Sequence, residues 1–344
     1  MRIRLKPLDQ QVILVTGATS GVGLTTTREA ARAGARLMLV SRNERALKEI
    51  CDALALEGAD VHYAVADVAD YASVEAAAAA AVERFGRIDT WVNNAGVSVY
   101  GRFDEVPVED QKRLFDTNYW GVVHGSLIAL KLMRETGGAI INLGSELSDV
   151  AVPLQGTYSA SKHAIKGFTE ALRIEIAQAR IPVSVTLIKP AGMDTMYVQH
   201  AKSYLKFEPK LPVPVYSPII AAGAILHAAQ NPKRDIYVGG ASKATVIGNR
   251  IAPGLTDTLL TLFGVRMQDS GRPSRTWGQA LFAPSENFGQ EQSGRNGRIV
   301  RSSGYTSLTT THRGSLRLLS YALIGVTFAA SLRLWNQKAM AKRR

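Results

Sequence analysis

Tyr158 and Lys162 stand four residues apart in this 344-residue chain. On a helix that spacing puts both side chains on one face. A free tyrosine has a pKa of about 10, too high for efficient proton exchange at neutral pH. A neighbouring ammonium favours the phenolate and is expected to lower that value. The phenol then approaches the range in which a general acid or base works well. Ser145 lies thirteen residues upstream of Tyr158. Its hydroxyl can hold a substrate oxygen beside the phenol and stabilise developing alkoxide charge in a desolvated site. Taken singly, each of these residues is unremarkable surface or loop chemistry; together they make an acid–base set.

A second feature lies near the N-terminus. Thr16-Gly17-Ala18-Thr19-Ser20-Gly21-Val22-Gly23 follows a short apolar run, Val12–Thr16, and opens a helical pattern. Glycines let a backbone turn tightly and approach a pyrophosphate without Cβ clashes. The helix N-terminus adds unpaired N–H groups and the positive end of a dipole. A plain glycine turn is the alternative, but the strand-to-helix position is the one a phosphate cradle requires. The next apolar run ends in Ser41-Arg42-Asn43, with no acid. An acid there would bond the ribose 2′-hydroxyl of NAD. Ser41 and Arg42 can instead meet a 2′-phosphate with a hydroxyl and a fork of donors. The expected cofactor is NADP(H), in preference to NAD(H).

The elements that must hold these groups alternate along the chain. Short apolar strands are expected at Val12–Thr16, Ala35–Val40, Val61–Ala66, Thr90–Asn93, Ala139–Leu143, Val183–Ile188 and Asp235–Val238. Helices are expected over Val22–Gly34, Glu44–Glu57, Tyr71–Phe85, Val108–Glu135 (bent near Gly121 or Gly125), Thr157–Arg180 and Ser217–Gln230. Buried Val/Ile/Leu strands separated by helices predict an α/β, doubly wound parallel sheet covered on both faces. Such a sheet carries its ligand site at the C-terminal strand ends, where the residues above fall.

The glycine spacing and the motifs after it resemble the short-chain dehydrogenase/reductase family, with its T-G-x3-G-x-G loop and Y-x3-K pair. Asp67-Val68 look like the family's adenine contact, and Asn93-Asn94-Ala95-Gly96 like its N-N-A-G. Asn118 stands where the family keeps an active-site asparagine, and Thr195 where it keeps a threonine. Pro190-Ala191-Gly192 departs from the usual Pro-Gly, with Gly192 displaced by one. The resemblance runs from about Leu8 to Gly240 and implies a Rossmann fold with hydride transfer between nicotinamide and a carbonyl or alcohol. It also implies that Asn118, Ser145, Tyr158 and Lys162 are catalytic, with Asn118 anchoring a proton-relay water. The implied cofactor contacts are Thr16, Gly17, Thr19 to Gly23, Ser41, Arg42, Asp67, Val68, Asn94 to Gly96, Tyr158, Lys162, Pro190, Gly192 and Thr195. Lys162 would bind the nicotinamide ribose. The family's habit of forming dimers or tetramers extends to this chain as an expectation.

Other residues read more plainly. The six histidines show no metal-ligand spacing, and the single cysteine, Cys51, reads as a packed thiol on a helix. Trp91 reads as core. Glu146 and Ser148, beside Ser145, either line the substrate pocket or are loop polars. Met193 to Tyr216 is the expected substrate loop. Its Met193, Met196, Tyr197, Tyr204, Leu205 and Phe207 fit a small molecule with a hydrophobic part, or simply pack the lid.

Charge separates the chain into two regions. The net charge is +12, yet 24 basic and 24 acidic residues balance from Met1 to Pro232, whereas 17 basic and 5 acidic residues follow from Lys233 to Arg344. The excess therefore belongs to an extension, not to the expected catalytic domain at 1–240. Within it, 241–266 is expected to be helical and 267–313, rich in Ser, Gly and Arg, a flexible linker. In 314–344, fifteen uncharged residues separate Arg317 from Arg333. That length is short for a spanning helix, which needs about 17–20 apolar residues. The flanking arginines and Trp335 nevertheless suit an interface. The segment 315–335 reads as a membrane anchor, or as a helix docking on this domain or a dimer partner. A nucleic-acid tail is the weakest reading, since the basic residues lack a motif. No export signal opens the chain, so the expected location is cytoplasmic, with a possible tether to a membrane face. Together these features lead to the expectation of an NADP(H)-dependent oxidoreductase acting on a carbonyl or secondary alcohol. A catalytically idle NADP(H) sensor and an epimerase or isomerase on the same fold are the alternatives.

Overall fold

Seven apolar segments assemble into one parallel sheet. They are β1 (Val12–Thr16), β2 (Arg36–Ser41), β3 (Val61–Val65), β4 (Thr90–Asn93), β5 (Gly138–Leu143), β6 (Val183–Pro190) and β7 (Asp235–Val238). In space they run β7-β6-β5-β4-β1-β2-β3, all parallel. The order reverses between β1 and β4, and that switch opens a crevice at the C-terminal strand ends. The computed structural model describes residues 3–274, 279–286, 288–295 and 297–311. The chain divides into two units, Met1–Thr306 and Ser307–Arg344, and the sheet belongs to the first.

Helices cover both faces of the sheet: α1 (Gly21–Arg32), α2 (Glu44–Leu56), α3 (Tyr71–Phe85), α4 (Val108–Phe115), α5 (Gly121–Met133), α6 (Gly156–Gln178) and α7 (Pro218–Gln230). The first core, between β1, β2, α1, α2 and α7, packs Ile13, Val15, Leu37, Leu39, Leu47 and Ile225. On the opposite face Leu14, Met38, Val74, Trp91, Ile140 and Leu172 form the second. Strands buried on both faces need apolar residues without alternation, which is why their sequences are continuous Val/Ile/Leu runs. Cys51 is buried in the first core, and burial pushes its thiol up to about 12, so it is an inert packing group.

The long helical region bends, and a π-helical turn at Asp116–Trp120 makes the bend between α4 and α5. Such turns place an extra residue in the helix and recur at functional sites. Two further helices follow the sheet, α8 (Gly240–Ile251) and α9 (Pro253–Gln268). The segment expected to be a flexible linker does not behave as one within its described residues. Asp269–Pro273 pairs with Phe207–Pro209, and Ile299–Val300 pairs with Val215–Tyr216. Leu281 is 1% exposed within a cluster of Val97, Val99, Val106 and Leu114. Leu281, Val300, polar side chains such as Glu291 and Ser293, and backbone hydrogen bonds hold a segment whose average composition is polar. Among the described residues no helix is long and apolar enough to cross a membrane, and the stretch 315–335 lies outside them.

Candidate active site

One cavity at the C-terminal edge of the sheet gathers most of the expected site residues. Its wall includes Gly17 and Thr19 to Gly23, then Ser41, Arg42, Asp67 and Val68, then Asn94 to Gly96. It continues without interruption to Ser145, Glu146, Tyr158, Lys162, Pro190, Gly192 and Thr195. The glycine loop is packed too tightly for side chains. A Cβ on Gly23 would lie 2.1 Å from the Gly17 carbonyl oxygen, and one on Gly17 (φ +66) would lie 2.8 Å from Ala95 Cα. The N-terminus of α1 lines the cavity, and its donors suit a pyrophosphate, although the Gly21 N–H is here bonded to Gln290 O at 2.9 Å.

Two expected contacts lie elsewhere. Thr16 does not line the cavity. Its Oγ accepts from Asn94 N at 3.0 Å and Ala95 N at 3.1 Å, tying β1 to the end of β4. Asn118 is fully buried, and its side chain is spent on structure. It accepts from Val97 N at 2.8 Å, and it donates to Val97 O at 3.0 Å and Ser161 Oγ at 3.1 Å. The π-turn turns this amide onto the loop after β4, so it sets the height of Gly96 and Val97 without reaching the cavity. These bonds use both Nδ2 protons and one of the two Oδ1 lone pairs. Thr117 is the residue of that turn that faces the cavity.

Ser145 follows β5 and caps the short 3-10 turn Glu146–Ser148. Its Oγ accepts from Leu147 N at 3.1 Å, and the Ser148 hydroxyl accepts from Ser145 N at 3.2 Å. This box fixes the hydroxyl oxygen and leaves its proton available. Tyr158 and Lys162 sit one turn apart on α6, and the ammonium lies 5.5 Å from the phenol ring centre. Lys162 donates to Leu143 O at 2.8 Å.

The electrostatics differ from the expected picture. Burial pushes the Tyr158 phenol up to about 12, against a lowering by the Tyr197 and Ser145 side chains. Burial likewise pushes Lys162 down to about 8. Desolvation disfavours both charged forms and is the largest cause of each shift. At neutral pH the phenol is therefore a firmly held proton donor, while the lysine can exchange its proton near the working range.

Three contributors carried no motif. Tyr197 packs edge-on to Tyr158 with ring centres 5.4 Å apart. Its hydroxyl lies 2.7 Å from Gln155 Oε1 and 2.8 Å from Ser98 Oγ. Gln155 in turn donates to Gln268 Oε1 at 2.7 Å, so the last residue of α9 supports the wall behind the phenol.

The third contributor is the described residues of 280–286 and 288–293, a strap over the Arg42 end of the cavity. Gly289 N donates to Thr19 O at 2.9 Å, and Gly21 N donates to Gln290 O at 2.9 Å. Asn43 donates to Ser285 O at 3.0 Å, and Arg28 pairs with Glu291. Arg42 donates to Leu281 O at 3.3 Å and Phe282 O at 3.2 Å, and also to Ala280 O. Ala280, Pro284, Ser285 and Phe288 thereby become cavity wall. The sequence signal was the short apolar run Leu281-Phe282-Ala283-Pro284 inside an otherwise polar stretch. Beneath it, burial alone would raise Asp67, but the Ala69 N–H and the guanidiniums of Arg113 and Arg42 hold it below the usual carboxylate range.

Comparison with known proteins agrees with this geometry. Residues 11–205 match the family model for short chain dehydrogenase. The chain is similar to the uncharacterized oxidoreductase YxnA of Bacillus subtilis, 42% identical over 312 residues, covering 90% of this chain and 87% of that one. It superposes on a short chain dehydrogenase/reductase from Burkholderia phymatum in complex with NAD, with a TM-score of 0.66, 28% identity, and coverage of 73% of this chain and 97% of that one. An alcohol dehydrogenase from Thermococcus sibiricus complexed with 5-hydroxy-NADP gives a TM-score of 0.58 at 27% identity, over 66% of this chain and 95% of that one. With the cradle, the Ser–Tyr–Lys set and the sheet order all in place, the chain belongs to the short-chain dehydrogenase family of oxidoreductases.

Proposed function

We propose that the protein is an NADP(H)-dependent carbonyl reductase for a largely hydrophobic substrate. The observation that carries this reading is the continuity of one cavity from the glycine loop and Arg42 to Ser145, Tyr158 and Lys162. When bound, the nicotinamide cofactor supplies the hydride. The protein supplies position and protons. Ser145, held by its capping box, donates to the substrate carbonyl oxygen and places it beside Tyr158. As the oxygen gains negative charge, Tyr158 gives up its proton to it. Lys162 stabilises the tyrosinate so formed, and with a pKa of about 8 it can return the proton.

Apolar wall residues Leu147, Val152, Met193, Met196, Leu211 and Met267 support a hydrophobic substrate. Support for NADP(H) comes from the residue types at the end of β2, where Ser41 and Arg42 replace an acid; the guanidinium, here on the carbonyls of Leu281 and Phe282, would turn to a 2′-phosphate. Converting Arg42 to Asp is expected to lower the ratio of kcat/KM for NADPH over NADH by about tenfold or more, through loss of a donor and gain of a repelling charge. Side-by-side Michaelis constants check this, and an unchanged ratio would remove Arg42 from the cofactor reading. The reading as a whole is tested by NADPH oxidation with a panel of aryl, alicyclic and steroidal ketones.

A further inference from the structure

One acidic group on the cavity wall has no task in this chemistry. Glu146 follows Ser145 directly and lines the same cavity as Tyr158. The other carboxylate on that wall, Asp67, lies under the strap and is held by Arg113 and the Ala69 N–H. No hydrogen bond or ion pair engages the Glu146 carboxyl among the described residues. Glu146 is half-buried, and a carboxyl drawn partly out of water without a partner carries a cost. Burial pushes Glu146 up to about 7, and its negative charge opposes ionisation of Tyr158. Nothing in the capping box needs it, since the backbone N–H and hydroxyls of Ser145, Leu147 and Ser148 make that turn. A group of this kind, facing the space a substrate must fill, marks a position that a ligand completes.

We propose that Glu146 determines substrate specificity by accepting a hydrogen bond from a hydroxyl or amino group carried a few bonds from the reacting carbonyl. This deepens the carbonyl-reductase reading and rests on it. The substrate class is then an apolar hydroxyketone or aminoketone. Both offer the same chemistry to the carboxyl, a donor hydrogen. An ammonium donor would also offset the carboxylate charge and weaken the field that works against Tyr158, whereas a hydroxyl would bond the carboxylate without changing its charge.

The test compares matched ketones with NADPH: methyl phenyl ketone, hydroxymethyl phenyl ketone, aminomethyl phenyl ketone and meta-hydroxyphenyl methyl ketone. With the unaltered protein, the best donor-bearing ketone is expected to exceed methyl phenyl ketone in kcat/KM by about tenfold, the worth of a hydrogen bond to a charged group. In Glu146→Leu, which fills the space without an acceptor, that ratio is expected to fall to about one. Glu146→Gln keeps an acceptor oxygen but not the charge. Retained preference in it assigns a hydroxyl donor, and lost preference assigns an ammonium. Cofactor titration shows that both variants are folded. A preference absent from the unaltered protein, or unchanged in Glu146→Leu, overturns the proposal. If the unaltered protein reduces none of these ketones nor any in the wider panel, it is the carbonyl-reductase reading that fails.

Discussion

Tyr158→Phe is expected to lower kcat by about a hundredfold to ten-thousandfold, the usual contribution of a positioned proton donor. Cofactor affinity should change by no more than about tenfold, the scale of one hydrogen bond. The pairing of results matters, because the ring of Tyr158 also packs against Tyr197 and the Leu281 cluster. Phenylalanine keeps that packing and removes only the hydroxyl. Steady-state turnover beside a fluorescence titration of NADPH separates the two effects, and near-normal turnover would take the acid role from Tyr158. The pH profile adds a second constraint. Lys162 carries its proton below about 8 and loses it above. Reduction should therefore weaken as pH rises through that value. The phenol, which titrates near 12, contributes nothing to the fall. Lys162→Met should abolish the titration along with most of the activity.

Leu281→Asp is expected to speed NADPH release by about a hundredfold. The deepest apolar anchor of the strap is Leu281, seated among Val97, Val99, Val106 and Leu114. A carboxylate cannot enter that cluster without a partner, at a cost of a few kcal/mol. The hydrogen bonds from Gly21, Asn43 and Arg42 to strap carbonyls would then open together. Each 1.4 kcal/mol is tenfold in affinity, and such changes fall mostly on release. Stopped-flow displacement of bound NADPH by excess NADP+ measures the rate directly. The same cost should lower the thermal transition, so release is compared well below that temperature. A release rate equal to that of the unaltered protein would show that the strap is a passive cover.

Some of this architecture was legible in the residues, and some was not. The parallel sheet could be read because strands buried on both faces must be continuously apolar, as in Val12–Thr16 and Val183–Pro190. The Tyr158–Lys162 pair could be read because an i,i+4 spacing fixes a shared helix face whatever surrounds it. The direction of the Tyr158 shift could not, because burial is a property of Tyr197, Ser98 and the strap folding over it, not of α6. Asn118 and Thr16 illustrate a related limit: their side chains turn toward the β4 loop, a choice made by a π-turn and by strand order. The strap hid for a different reason. Its grip on Arg42 and the glycine loop uses backbone carbonyls, which every residue type supplies, so composition marked it as a linker.

The central claim is that one continuous cavity joins a nicotinamide cofactor to a carbonyl beside Tyr158. It is tested most directly by following NADPH absorbance while the full-length protein is offered the ketone panel, with Tyr158→Phe run in parallel. The account predicts NADPH consumption that depends on a ketone and on Tyr158. NADPH that binds tightly but is never consumed by any ketone would contradict it and point to a sensor built on the same fold.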